Sequence, residues 1–473
     1  MSRIPKIVAV LAGLAAAGCN DSFALPPPPL DSFFFPVGVA VRPLSPSQSA
    51  LIVVSTNFDL RYDQDTGGTV LSVDPEASVP LGSDGKGGQL AVLGALNIAS
   101  FGGEVAWTDA VDSGAAWRPP GSYCPQLEAD PVIAAGGAKV LVASRAILQL
   151  YRIDMDARGA LSHRDDWITQ LNKTQVPITQ LDPYGVTIVC SGQTDRPTAH
   201  AYFTLLRGLY NEGWMSRLDL NTGALLNLDL GPSTTYTSAY DPAAGWLFIS
   251  SVFGISPLRW MNPLLPVPII GGVGVPEYQR FGIASLVAGG LTRDLAVSND
   301  RRFLFVSLQL VDPDLYGRTG QIYTQGGALA AFDLAPTALN QPRMTLLQLV
   351  PTCLGGGQLR VLPPRAGKGD LVAVTCDLEG SLAIYDDEIG KVVRYVALDP
   401  VTGQPALGRQ PFGLAVETLD GARAAGPGSP CVPGRPCDRI YAASFELGIV
   451  NLLELDPDEP ASAVLVKRIG RIQ

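Results

Sequence analysis

A six-residue pattern occurs near the start, the middle and the end of this chain. It reads PVGVAV at residues 36–41, PYGVTI at 183–188 and PFGLAV at 411–416. Proline opens each copy, glycine stands two places later, and a short β-prone run completes it. Such a run, apolar on consecutive residues, suits a strand covered on both faces. The residues after each copy are also alike. After the first copy comes ALIVVSTNFDLRYDQDTGGTVLSVDP, and after the last comes DRIYAASFELGIVNLLELDP. In both, an apolar strand ends at a polar turn and a second strand ends in an acidic residue and proline. After the middle copy, DLNTG (219–223) reads as a hairpin turn between two strands, and DDEIG (386–390) has the same role later, glycine supplying the positive φ that these turns need. Weaker copies begin near residues 131, 235, 291 and 358, so most unit starts are spaced by about 50 residues.

A sheet of that size cannot bury both faces alone, whereas sheets set radially cover one another and leave only short protected edges. The expectation is an all-β fold, a seven-bladed β-propeller of four-stranded antiparallel blades over residues 36–473. The long first interval, 36 to 131, leaves an eighth blade as the alternative; otherwise it is one blade with an inserted loop containing WRPPGSYCP. The C-terminal SAVLVKRIGRI is expected to supply an outer strand of the last blade. A β-sandwich or a pair of barrels would also show many short strands, but neither explains a glycine pattern recurring at unit starts. The 51 glycines and 39 prolines among 473 residues fit many strands joined by turns.

SNDRRFLFVS (298–307) resembles the SPDGRxLYVA element of YVTN-type, lactonase-like propellers, and YAASFELGIVNLLELD (441–456) resembles their YVANxxxxTVSVID. Asn299 stands where that element has proline, and Arg301 where it has glycine. The resemblance spans roughly residues 36–470 and implies the fold. No catalytic residue of the lactonases matches a position here, so none is carried over.

The N-terminus reads as an address. MSRIPK is basic, IVAVLAGLAAA is apolar but too short to span a bilayer, and AAGC ends at Cys19. This is similar to a lipobox, which implies a lipoprotein signal peptide over 1–18 and acylation of Cys19. A plain secretory leader is the alternative. Asn20 after Cys19 favours the outer membrane, and several acyl chains hold a protein firmly, each buried CH₂ adding about 0.8 kcal/mol. Residues 19–35, with Pro26 to Pro29 in a row, read as a stiff polyproline tether.

Of the 7 cysteines, Cys19 is set aside. The remaining even number in an exported chain implies disulfides. Cys431 and Cys437 flank VPGRP and form the best local pair, a small ring contributing about 2 kcal/mol. Cys353–Cys376 and Cys124–Cys190 would then be the others. Thiolate metal ligation is disfavoured, because no CxxC occurs and no histidine lies close to these cysteines.

The net charge of −10, more negative once Arg3 and Lys6 leave with the leader, excludes nucleic acid as an expected partner. Only 2 histidines exist, His163 and His200, so a serine–histidine triad or a histidine metal site has almost no material, and both are read as structural or surface residues. The 6 tryptophans are out of repeat register, which argues against a quinone cofactor docked in each blade. The sharpest polar cluster is NFDLRYDQDTGG, where Asp59, Asp63 and Asp65 could hold Ca²⁺ through carboxylate oxygens; a solvated hairpin loop is the preferred reading. Two long proline-rich stretches, 260–279 and 421–437, read as loops between blade strands, where binding often resides.

The resulting expectation is a non-catalytic binding or scaffold protein at the bacterial cell envelope, anchored in the membrane by its lipid, with a protein or envelope polymer as partner. The alternative is a lactonase-like or other hydrolase with a metal-assisted site in the central channel. An enzyme would gather carboxylates and polar groups at one end of the channel; a scaffold would leave the channel featureless and build a patch from loops.

Overall fold

The protein is described by a computed structural model over residues 25–63, 65–82, 84–111, 117–145, 149–170, 183–191, 198–205, 213–231, 235–242, 244–251, 264–270, 273–274, 291–309, 326–338, 342–424 and 428–472. The leader, Cys19 and the first part of the tether lie outside these residues.

The described residues form almost only strands, in successive antiparallel meanders of four. The first contains β1 (Pro36–Ser45), β2 (Gln48–Ser55), β3 (Gly68–Leu81) and β4 (Gly87–Ile98). The second contains β5 (Gly102–Thr108), β6 (Ala138–Ser144), β7 (Gln149–Met155) and β8 (Leu161–Gln170). Next come β9 (Pro183–Ser191), β10 (Thr198–Leu205), β11 (Gly213–Asp219) and β12 (Leu225–Gly231). The fourth meander is β13 (Thr235–Asp241), β14 (Trp246–Ser251), β15 (Leu264–Ile270) and β16 (Val273–Gly274). After it come β17 (Leu291–Val297), β18 (Phe303–Gln309), β19 (Gly327–Asp333) and β20 (Thr345–Pro351), then β21 (Gly356–Val361), β22 (Leu371–Cys376), β23 (Ser381–Asp386) and β24 (Lys391–Val396). The last contains β25 (Pro411–Asp420), β26 (Pro436–Ser444), β27 (Ile449–Asp456) and β28 (Glu459–Gly470). The first and last meanders join into one eight-stranded sheet through a single pairing, Ile469 of β28 opposite Pro80 of β3. The arrangement is a β-propeller of four-stranded antiparallel blades.

The leading strands β1, β5, β9, β13, β17, β21 and β25 each lie against the next, and β25 lies against β1. Apolar clusters fill the spaces between adjacent sheets. One joins Val54, Val70 and Val105 to Val142 and Ile153 across the first two meanders, and another joins Leu51 and Leu71 to Tyr441 and Leu452 across the first and last. This is how small sheets bury both faces: β2, β6, β22 and β27 are buried over nearly their whole length.

The opening glycines explain the recurring sequence pattern. A Cβ on Gly38 would lie 2.6 Å from the carbonyl oxygen of Gly103 in the next leading strand, and one on Gly103 would lie 2.5 Å from that of Tyr184. One on Gly413 would lie 2.8 Å from the Val37 oxygen. The glycines therefore let leading strands approach backbone to backbone at their first residues. Ladder register shifts between Pro36 and Gly38, and between Phe412 and Leu414, mark the same positions as bulges. Gly413 also has φ +68°, a left-handed conformation costly for any residue with a Cβ. Gly413→Ala is expected to cost about 1–3 kcal/mol, read from the urea midpoint at unchanged slope.

Two sequence expectations are corrected. The second meander opens at Gly102, not near 131, and the segment around 131 is a one-turn helix, Pro131–Ala134, capped by Asp130, whose carboxylate accepts from the Val132 and Ile133 amides. The WRPPGSYCP segment is thus an insertion between β5 and β6 of the second meander, and the long first interval holds the whole first meander. The stretch 260–279 is not simply a loop, since Leu264–Ile270 and Val273–Gly274 are strands; the rest of it lies outside the described residues. SAVLVKRIGRI does run into the outer strand β28.

Candidate channel site

The leading strands surround a cavity of about 200 Å³. Its walls are largely apolar, with Val39, Val41, Ile188, Leu295, Val361 and Val416 among them, as expected where strands are covered on both faces. Its two ends differ.

At the end near the first residues of the leading strands, three otherwise apolar strands carry charges. Glu104 stands on β5, Arg293 and Asp294 on β17, Arg360 on β21. Asp294 is fully engaged. Its Oδ1 accepts from the Leu295 amide at 2.9 Å and Thr237 Oγ1 at 3.2 Å, and its Oδ2 from Arg360 Nη1 at 2.6 Å and the Leu359 amide at 3.0 Å. The Arg360 side chain keeps 31% of its surface free, and Arg360 lines the cavity. Arg293 pairs with Asp377, Nη2 to Oδ2 at 3.1 Å, and Gln309 Nε2 donates to the same oxygen at 3.0 Å. The Arg293 guanidinium lies 5.3 Å from the Tyr236 ring centre, and that ring stacks on Tyr184 at 5.0 Å. Burial pushes the Asp377 carboxyl up to about 6 against the opposing pull of Arg293.

Glu104 has weaker company. Oε2 accepts from the Val186 amide at 3.4 Å and Oε1 from Gln358 Nε2 at 3.3 Å, both long for hydrogen bonds. Burial, and then the negative charge of Asp294, push its carboxyl up to about 8, with Arg360 pulling the other way. Burial and Asp294 thus both favour the protonated form of Glu104.

Trp117, Pro119, Pro120 and Ser122, from the β5–β6 insertion, line the opposite end of the cavity. Trp117 Nε1 donates to Asn299 Oδ1 at 3.2 Å. Asn299 in turn donates its backbone N–H to Asp370 Oδ2 at 2.7 Å, and its Nδ2 to Asp370 Oδ1 and the Leu362 oxygen, each at 2.8 Å. The stem of the insertion is held by Arg118, which pairs with Asp109 at 2.6 Å and lies 4.9 Å over the Trp107 ring, and by the Cys124–Cys190 disulfide to the third meander. Asn299 is the residue that stands in place of the propeller element's proline, and it ties a turn of the fifth meander to the insertion of the second. Asn299→Pro removes these donors and leaves the buried Asp370 carboxyl without them; the expected loss is about 2–3 kcal/mol, seen as a lower urea midpoint monitored by tryptophan fluorescence.

The cysteines singled out in the sequence pair as Cys124–Cys190, Cys353–Cys376 and Cys431–Cys437. Glu454 lies close to Cys431 and Cys437, but both sulfurs are in the disulfide and offer no thiolate. Asp59 accepts from Arg61 Nε at 2.6 Å, while Asp63 Oδ1 accepts from the Asp65 amide at 2.9 Å and the Thr66 amide at 3.2 Å. Among the described residues, Asp59, Asp63 and Asp65 are not gathered at one ligand point; Asp63 closes the turn on itself. His200 is buried on β10, 3.7 Å from Asp219, and burial lowers its pKa. The channel is not featureless: Glu104, Asp294 and Arg360, which belong to no sequence motif, meet there.

No family model matches the chain, and no curated protein does. Among solved structures it is similar to hydrazine synthase of Kuenenia stuttgartiensis, at 12% identity and a TM-score of 0.52, over 89% of this chain and 96% of that one. Others are a functionally unknown protein from Desulfotomaculum acetoxidans DSM 771, at 13% identity, TM-score 0.46, with 85% and 92% covered, and the β-propeller domain of Cps50 (Swd1) from Myceliophteria thermophila, at 11%, 0.46, with 89% and 98% covered. The likeness to the hydrazine synthase chain is one of fold alone.

Proposed function

We propose that this chain is an exported, lipid-anchored propeller of seven blades that binds a ligand without catalysis at the bacterial cell envelope, using the polar end of its central channel. Each four-stranded meander counts as one blade, the two halves of the eight-stranded sheet included, and the contact of β25 with β1 supports a closed ring. Removal of residues 1–18, acylation of Cys19 and residence at the outer membrane, facing the periplasm or the cell surface, rest on the leader sequence. The three disulfides agree with an oxidising compartment. No helix among the described residues is long and apolar enough to cross a membrane.

The observation that carries the binding reading is Asp294. Both of its oxygens are occupied by fixed donors, so beside Glu104 it holds Arg360 in place at the cavity. The partner can be a protein or an envelope polymer that presents a small group to the channel. One observation favours the hydrolase reading: a carboxyl held protonated at neutral pH is suited to general acid work. Two measurements test the proposal. Labelled palmitate should enter the protein and be lost in Cys19→Ala, with the variant leaving the outer-membrane fraction; unchanged labelling contradicts the anchor. Purified protein should turn over neither simple lactones nor p-nitrophenyl acetate; turnover abolished by Glu104→Gln would establish the hydrolase instead.

A further inference from the structure

Of the three carboxyls at the polar end, two have an ion-pair partner among the described residues and one does not. Arg360 is matched by Asp294 and Arg293 by Asp377, each as a direct ion pair. Glu104 is the third carboxyl of the group and, among the described residues, has no cation of its own. The groups facing it are Tyr184 on β9, Tyr236 on β13, Asp294 on β17 and Gln358 and Arg360 on β21, while β1 and β25 present Val39, Ala40 and Leu414 to the cavity.

Gln358 stands beside Glu104, only 7% exposed and outside the cavity lining, with its Nε2 donating to Glu104 Oε1. Glu104 itself lines the cavity, can take a further N–H donor, and has no ion-pair partner among the described residues. The remaining walls are mostly apolar, with the hydroxyls of Thr187 and Ser238 among them, and the space is about 200 Å³, room for roughly six or seven waters at about 30 Å³ each or for one single-ring molecule.

We propose that the channel takes an organic monocation, a primary ammonium on a small apolar body, with its N–H groups on Glu104 and its body between the apolar walls and Trp117. This rests on the channel being the binding site. A carboxylate ligand would instead bring a fourth acid to two guanidiniums already paired.

Binding would convert Glu104 from acid to carboxylate, so the proton it holds at pH 7 must leave. The test uses purified full-length protein in detergent and three probes of one size: benzylammonium, benzyl alcohol and benzoate. Calorimetry at pH 7 in two buffers of different ionisation enthalpy should show benzylammonium binding with close to one proton released. Benzyl alcohol should bind at least about tenfold more weakly, and benzoate not at all. In Glu104→Gln, a near-isosteric change whose folding is checked by melting, benzylammonium affinity should fall at least about tenfold and proton release should vanish. Benzoate or benzyl alcohol binding as well as the cation overturns the inference and leaves the channel as a binding site. Failure of all three probes to bind also overturns it, and the lactone assay then decides separately whether the channel binds or catalyses.

Discussion

Replacing Arg439 by methionine should destabilise the protein by about 3–5 kcal/mol, a loss large beside the usual stability of a domain. Arg439 lies on β26 with its side chain 1% exposed. Nε donates to Glu454 Oε1 at 2.8 Å, Nη1 to Glu76 Oε1 at 2.7 Å, and Nη2 to the Arg423 oxygen, while Glu417 Oε1 lies 3.9 Å from Nη1. Glu76 is on β3, so the guanidinium spans the seam between the last meander and the first. Among the described residues only one backbone ladder pairing crosses that seam. Side chains supply the rest: Ser49 Oγ donates to Glu417 Oε2 at 2.6 Å, and Lys467 Nζ to the Pro75 oxygen at 2.6 Å. Removing the guanidinium takes the nearest cation from Glu454, whose side chain is 0% exposed. Pairing Arg439→Met with Glu454→Leu should recover most of the loss, because replacing both partners of a buried pair by apolar groups is often neutral. Urea unfolding of the single and double variants measures this. Equal losses in both would mean that Arg439 acts through packing and not through its charge.

The second large effect is predicted for Cys190→Ala. Cys124 and Cys190 are 66 residues apart in sequence, Cys353 and Cys376 are 23 apart, and Cys431 and Cys437 are 6 apart. In the chain-entropy model, losing these bonds costs about 4, 3 and 2 kcal/mol respectively. The first also frees the insertion that carries Trp117 across the cavity, so its loss should additionally change tryptophan emission, whereas Cys376→Ala should not. The order of urea midpoints among the three alanine variants is the check. A Cys431–Cys437 loss larger than the Cys124–Cys190 loss would contradict it.

Strand starts are legible in the sequence wherever the bulge glycine comes after a proline, because that glycine answers a steric demand where two leading strands approach closely. Pro36, Pro183 and Pro411 open β1, β9 and β25. The second meander opens instead with Gly102-Gly103, which meets the same demand without the proline, so the pattern does not mark its start. Of the disulfides, only the short Cys431–Cys437 pair is legible locally; the other four cysteines allow three pairings, and the fold brings Cys124 to Cys190 and Cys353 to Cys376. The channel site is not legible. Glu104, Asp294 and Arg360 stand far apart in the chain and meet only because β5, β17 and β21 share a channel, an outcome of tertiary closure. The available signal is charge within three otherwise apolar leading strands. The Asp59–Asp65 cluster is conspicuous for the opposite reason: those acids are close in sequence and serve their own turn.

Protonation of Glu104 has a consequence for stability. Its carboxyl is raised in the folded protein, so the stability it contributes is complete below the usual 4.5 and is lost as pH rises through about 8. Asp438, raised to about 7 by burial, and Asp377, raised to about 6, act in the same direction at lower pH. Glu104→Gln should therefore reduce the fall in stability between pH 5 and pH 9 without abolishing it.

The most direct test is the titration of Glu104 itself, monitored by the infrared carboxylic carbonyl band assigned by difference against Glu104→Gln. Strands that enclose one buried channel predict a protonated side chain at pH 7 that ionises near pH 8. Ionisation near the ordinary 4.5 would contradict a buried Glu104 whose desolvation outweighs the pull of Arg360.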